Sequence, residues 1–362
     1  MSSTLSSTLS STAQLEPRIL SVGTAVPEHH LTQLDVRTLV KSLFDDGLRD
    51  VDRLLAVFDN GHIQSRYVSA PLEWFQTNHT WQERNEIYLR VALDLSERAA
   101  KIALERSGLN AKDIGGIFFV STSGLATPSL DSWLIKRLDL SRHTVRSPIW
   151  GLGCAGGAGG LNRASEFVRA TGKPALLVAV ELCSLTFQAN DISRPNLIAT
   201  SLFADGAAAV VLAPEGLGPR IIGGSSTLWD ETEDIMGWDV TNTGLKVNIA
   251  KSVPNIIEKN IRADVEMACA KYGLRLEQFR HFVTHPGGEK VMEAFVTALE
   301  LPASALENAR AVLTEHGNMS SATVLFVLER FMRRYSELPR DEPGLLTAVG
   351  PGFSAEQVLF KT

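Results

Sequence analysis

Cysteine is scarce in this chain: three in 362 residues, Cys154, Cys183 and Cys269. Three thiols make no disulfide framework, and a reduced, cytoplasmic setting is expected. Metal-ligand spacing is missing as well, since the sequence holds neither CxxC nor HExxH. No apolar run reaches membrane-spanning length, so no membrane span is expected. A net charge of −6 excludes a global pull toward nucleic acid. The first stretch, MSSTLSSTLSSTAQLEP (residues 1–17), has no basic start and no apolar core, and reads as a disordered Ser/Thr-rich tail rather than a signal peptide. What remains is ordinary for a globular protein: 44% hydrophobic and 21% charged, with length for one large or two medium domains.

Apolar runs alternate with helical patterns. Arg18 to Thr24, Ile63 to Ser69, Ile117 to Val120, Ala175 to Leu182 and Ala207 to Leu212 read as strands. Thr32 with Asp35, and Thr80 with Glu83, read as capping boxes opening helices. Arg49 to Phe58 reads as an amphipathic piece, Pro128 to Leu138 and Asn196 to Phe203 as helices. From Pro219 the style repeats: strand Arg220 to Trp229, helix Asn255 to Tyr272, strand Phe279 to Thr284, helices Lys290 to Leu299 and Met319 to Tyr335. A closing hairpin follows around Gly350-Pro351-Gly352. The expectation is an α/β fold with sheets covered on both faces, in two halves, 18–218 and 219–362.

Three polar residues stand in matching places. Cys154 follows a short strand, Val145 to Trp150, in a turn of small residues (Gly151, Gly153, Ala155, Gly156, Gly157) before an amphipathic stretch. A helix N-terminus has unpaired N–H groups and a dipole that favours a thiolate. The glycines allow a tight turn and close approach by a substrate. Equally, a lone Cys among small residues is often a buried structural thiol. His285 ends a strand before Pro-Gly-Gly, with His281 and His316 nearby and chemically indistinguishable from it. Asn318 precedes a helix, where a plain N-cap is the ordinary role. Together Cys, His and Asn suggest a thiolate nucleophile and two donors for an oxyanion. A papain-like protease uses the same three letters, but its cysteine motif and disulfides are absent here.

GLGCAGGAGGLNRA, SLFADGAAAVVL, THPGGEKVMEA, EHGNMSSATVLFVLE and VGPGF, in this order, resemble the type III polyketide synthases, chalcone-synthase-like members of the thiolase superfamily. The resemblance runs from about Ile19 to the C-terminus. It implies a homodimer of thiolase-like, five-layered α-β-α-β-α subunits built from two related halves. It also implies an acyltransferase that condenses malonyl-CoA iteratively onto an acyl-CoA starter, with no cofactor. Cys154 then matches the acylated nucleophile, and His285 and Asn318 the pair supporting decarboxylation and condensation. Phe203 matches an aromatic gate between CoA tunnel and cavity, and Gly350-Pro351-Gly352 a loop of the cavity wall. Ser320, Gly287 and Gly288, from the two most specific motifs, fall among the substrate-contacting residues. Arg53 lies near a position that meets CoA phosphates, while Ala56 and Asn60 stand at two further positions that are basic in plant members.

Against plant members, Val247 replaces a bulky Phe, Thr127 a Met and Cys183 a Thr, while Thr186 is retained. Smaller groups at 127 and 247 suggest room for an apolar chain, as in bacterial alkylresorcinol and alkylpyrone synthases. A medium-to-long fatty acyl starter is the expectation. A ketoacyl synthase III-like condensing enzyme and a non-catalytic scaffold are the alternatives. Asp205 invites a catalytic role but reads better as an Asp-Gly turn.

Overall fold

The structure is a computed structural model and describes residues 15–44, 55–58 and 61–362. The strands, in chain order, are β1 (Arg18–Ala25), β2 (His29–Thr32), β3 (Ser65–Val68), β4 (Gly116–Val120), β5 (Val145–Ile149), β6 (Ala175–Leu182), β7 (Asp205–Ala213), β8 (Arg220–Leu228), β9 (Met236–Thr241), β10 (Gly244–Ile249), β11 (His281–Thr284), β12 (Pro343–Gly350) and β13 (Ser354–Lys361). Nine of them form one sheet, in the order β11-β12-β13-β8-β1-β7-β6-β4-β5. Its two parts meet where β1 and β8 pair through Arg18 and Arg220.

The two parts repeat one plan. β1-β7-β6-β4 and β8-β13-β12-β11 run antiparallel, antiparallel, parallel in the same sequence. Helix Gly156–Thr171 leads into β6, and helix Thr323–Arg333 leads into β12. Both helices pack on strands of both halves, so they form a central layer between the two parts of the sheet. The long helix Trp81–Ser107 lies against β1, β6 and β7, and helix Val253–Lys271 against β8 and β13. The result is the five-layered α-β-α-β-α arrangement. β6 and β7 are buried along their whole length, as strands covered on both faces must be.

Local signals explain the helix starts. Thr80 and Glu83 close a reciprocal capping box, as do Thr32 and Asp35. Several boundaries differ from the sequence reading. Asn318 is followed by a 3-10 turn, Ser320–Ala322, before the helix begins at Thr323. Phe203 is the C-cap of helix Arg194–Leu202 rather than part of it. The helix after Pro128 starts only at Asp131. Leu15 to Pro17 are tied down: Arg169 Nε donates to the Leu15 carbonyl at 3.1 Å and the Ile221 N–H to that of Pro17 at 2.8 Å. Hairpin β9–β10 and helix Glu307–His316 stand where the sequence reading placed no element.

Candidate active site

Cys154 sits in a one-turn 3-10 segment, Gly153–Ala155, that runs straight into the central helix Gly156–Thr171. The glycines permit close approach, but by the protein's own chain. A Cβ on Gly157 would lie 2.2 Å from the Ser321 carbonyl oxygen, and one on Gly153, which has φ +46°, 2.6 Å from Pro351. The start of the Cys154 helix and the turn after Asn318 thus pack backbone to backbone across the middle of the molecule. Gly350-Pro351-Gly352 buttresses the Cys154 turn, since a Cβ on Gly350 would meet the Leu152 carbonyl at 2.3 Å.

The Cys154 thiol is buried and donates to Ser320 Oγ at 3.5 Å, with the Asn318 side chain also in hydrogen-bonding reach. Asn318 Oδ1 accepts the Ser320 N–H at 2.8 Å, and its Nδ2 donates to the Gly287 carbonyl at 3.4 Å. The Asn318 backbone pairs with the Phe203 segment, through Asn318 N–H to Leu202 O at 2.8 Å and Ala204 N–H to Asn318 O at 2.9 Å. Asn318 therefore joins Cys154, the His285–Gly288 loop and Phe203. Ser320 carries φ +46°, an uncommon conformation for a side chain with a Cβ.

His285 is fully buried at the end of β11, and neither ring nitrogen meets a partner among the described residues. The other two histidines are now distinguishable from it. His281 pairs with Glu342 at 2.9 Å, and His316 packs against Tyr67 and Phe326.

Electrostatics here differ from the simple helix-terminus picture. Burial pushes the Cys154 thiol up to about 11, and the Glu181 carboxylate adds to that, while hydrogen bonds from Ser320 and Asn318 oppose it. Burial drives His285 down to about 3. Either charge alone is disfavoured.

Glu181 was missed from the sequence, although a charge inside the apolar run ALLVAVEL was a signal. It is buried on β6, accepts the backbone N–H groups of Thr122 and Ser123 and the Ser321 hydroxyl, and is pushed up to about 7 by burial. Asp205 is not in a turn. It opens β7 and accepts from the backbone N–H and hydroxyl of both Ser69 and Ser184, a buried knot among three segments. Arg66, also missed, is buried and donates to the carbonyls of Thr200, Ser201 and Phe203, satisfying the end of helix Arg194–Leu202.

Phe203, Cys183 and Thr186 line one apolar cavity together with Leu31, Val36, Leu39, Arg66, Val68, Leu72, Phe75 and Phe187. It is partly open to solvent, and Cys154, His285 and Asn318 are not among its lining residues. Thr127 and Val247 do not line it. Thr127 is exposed, so within this chain it opens no room, and Val247 is buried opposite Trp238 in the β9–β10 hairpin. Gly288 has φ +145° and precedes helix Glu289–Leu299. Arg53 and Asn60 lie outside the described residues. Among the described residues no three His, Cys, Asp or Glu side chains cluster as a metal site would require, and no helix is long and apolar enough to cross a membrane.

A duplicated α/β fold with a buried thiol, an imidazole and an amide donor around its central helices defines a thiolase-like protein. The model of the chalcone and stilbene synthases matches it twice, the N-terminal domain over residues 5–216 and the C-terminal domain over residues 221–362. A Bacillus subtilis protein provisionally named a chalcone synthase is 40% identical, over 94% of this chain and 98% of its own. The 1,3,6,8-tetrahydroxynaphthalene synthase of Streptomyces peucetius is 36% identical over 95% and 92%. The crystal structure of the Streptomyces coelicolor enzyme of that name, a bacterial type III polyketide synthase, superposes with a TM-score of 0.90 at 32% identity, covering 95% of this chain and 99% of that one. The chain belongs to the chalcone and stilbene synthase family and is a type III polyketide synthase, an acyltransferase.

Proposed function

We propose that the enzyme loads a medium-to-long fatty acyl-CoA starter onto Cys154, extends it with malonyl-CoA and closes an alkylpyrone or alkylresorcinol. The observation that carries the starter class is the apolar cavity beginning at Phe203, Cys183 and Thr186. Nine of its fourteen lining residues are aliphatic or aromatic, and each buried methylene of a starter contributes roughly 0.8 kcal/mol against them. A tetrahydroxynaphthalene synthase among the relatives shows that other products arise on this fold, so the product class rests on the cavity.

In this reading the Cys154 proton passes to His285 as sulfur attacks the starter thioester, and CoA leaves carrying that proton. The transfer creates both charges together, so each offsets the cost of burying the other. Loss of CO₂ from malonyl-CoA then leaves the bond's electron pair as an enolate. The ring N–H of His285 and the amide of Asn318 are the donors for that oxygen. The enolate carbon attacks the Cys154 thioester, and the thiolate departs, ready for another round. The carbanion comes from decarboxylation, so the scheme calls for no organic cofactor. We also read the protein as a cytoplasmic homodimer. β5 is the outermost strand of its sheet, and Val145 on it, Trp150 just after it and Trp133 on the helix packed against it are exposed.

Purified enzyme, malonyl-CoA and a ladder of acyl-CoA starters, with products read by mass, is the test. Preference for long linear starters supports the proposal; a strict preference for malonyl-CoA or aromatic starters ends it. Cys154→Ala should give no acyl-enzyme by intact mass. Polyketide formation by that variant would remove Cys154 as nucleophile.

A further inference from the structure

We propose that His316 is a positioning residue for Asn318: its uncharged ring is the wedge that fixes the turn from which Asn318 presents its amide. This rests on the reading of Asn318 as an oxyanion donor in the decarboxylation of malonyl-CoA. His316 ends helix Glu307–His316, and only Gly317 separates it from Asn318. Gly317 stands at φ +70° and ψ −168°, a conformation that is essentially glycine's own. A Cβ there would lie 3.0 Å from the Leu202 carbonyl oxygen. The bonds of the Asn318 backbone to Leu202 and Ala204 set where its peptide stands. Its side-chain Nδ2 has only the long 3.4 Å bond to the Gly287 carbonyl. The direction in which the amide donates therefore depends on how the chain before the glycine joint is held.

That chain is held from two sides, and His316 joins them. Toward β3, the Gln64 N–H donates to the Thr314 carbonyl at 2.9 Å and the Ser65 hydroxyl to that of Glu315 at 3.1 Å. The His316 ring stacks on Tyr67 of β3, with centroids 5.9 Å apart and planes at 28°. It meets Phe326 of helix Thr323–Arg333 edge to face at 5.2 Å. Tyr67 rests in turn against His30 of β2. Nδ1 of His316 is buried and meets no partner among the described residues. In the uncharged ring that nitrogen can carry the lone pair; a second proton would make it a buried donor with no acceptor, which costs stability. Nε2 approaches Glu315 only to 3.9 Å, and Glu315 already accepts from Arg330 at 2.8 Å. Burial holds the His316 pKa below its ordinary 6.5; Arg330 and Arg333 add to that, while Glu315 and Glu329 oppose it. The wedge is thus fully in place above pH 6.5 and is lost as pH falls through the lowered value.

The experiment follows malonyl-CoA decarboxylation from about pH 5 to about pH 8, beside iodoacetamide labelling of Cys154 at about pH 7.5. His316→Phe keeps a ring in the slot and cannot take a proton. It should match the wild type at about pH 7.5 and, at about pH 5, retain at least about threefold more of its own neutral rate than the wild type does. His316→Ala leaves the joint unsupported. Its decarboxylation should fall about ten- to a hundredfold, since a misplacement of about 1 Å can cost about 10² in rate. Cys154 in that variant should still label within about twofold of the wild-type rate, because the thiol is not what moved. If His316→Ala fails to fold, His316→Phe alone decides through its pH profile. An acid limb in His316→Phe identical to the wild type, or undiminished decarboxylation in folded His316→Ala, overturns the role of His316. So does a loss of Cys154 labelling in step with decarboxylation, which would mean a general loosening of the site. Unchanged decarboxylation in Asn318→Asp overturns the reading of Asn318 first.

Discussion

Deleting His285 should silence Cys154 as a nucleophile even though the thiol remains in place. Without an imidazole to receive the proton, the thiol has only its own surroundings, which push it up to about 11. At pH 7 the thiolate fraction would then be about 10⁻⁴, against a few per cent for a free cysteine with a pKa of about 8.5. Each unit of that difference is about 1.4 kcal/mol. The assay is the second-order rate of iodoacetamide labelling, mapped to Cys154 by mass, from pH 5 to pH 10. Wild-type Cys154 should react in the mildly acidic range, ahead of Cys183 and Cys269, since it alone is proposed to have a proton acceptor. Burial and the carboxylates of Glu181 and Asp205 raise Cys183. In His285→Ala the profile should move to alkaline pH and the rate at pH 7 fall by at least about a hundredfold. An acidic-range profile retained in His285→Ala would refute the reasoning, because the helix N-terminus would then suffice. Loss of labelling at every pH would instead mean that the variant had not folded, and melting of the same sample decides between the two.

Three further outcomes are expected. Asn318→Asp keeps the acceptor for the Ser320 N–H but loses the amide donor, so malonyl-CoA decarboxylation should fall by about 10²–10³ with little change in melting temperature; unchanged decarboxylation would leave only the turn-capping role. Asp205→Asn offers one carbonyl oxygen to the donors of Ser69 and Ser184, so a buried N–H goes unpaired and denaturant unfolding should register a loss of about 1–3 kcal/mol. Glu181 has a folded pKa near 7, above its ordinary 4.5. Its contribution to stability is therefore fully present below pH 4.5 and is lost as pH rises through 7, by up to roughly 3 kcal/mol. Glu181→Gln should flatten the stability profile over that window, measured by denaturant midpoints.

The chain by itself determined a good deal. Continuous apolar runs marked β6 and β7, because strands covered on both faces have no polar side to show. Thr80 and Glu83 fixed a helix start through bonds that span only three residues. Cys154, His285 and Asn318 were each visible as a polar residue where one element gives way to the next. Their meeting was decided by tertiary structure alone, since it depends on two halves packing their central helices face to face, with Gly157 against Ser321. The ionisation of the site was likewise out of reach of local sequence. A helix terminus favours a thiolate, but how much water remains around the thiol, and whether Glu181 lies near it, are properties of the packed core. The same reason explains Thr127 and Val247: a smaller side chain makes room only where the fold leaves the space unfilled, and Trp238 stands beside Val247 across a hairpin.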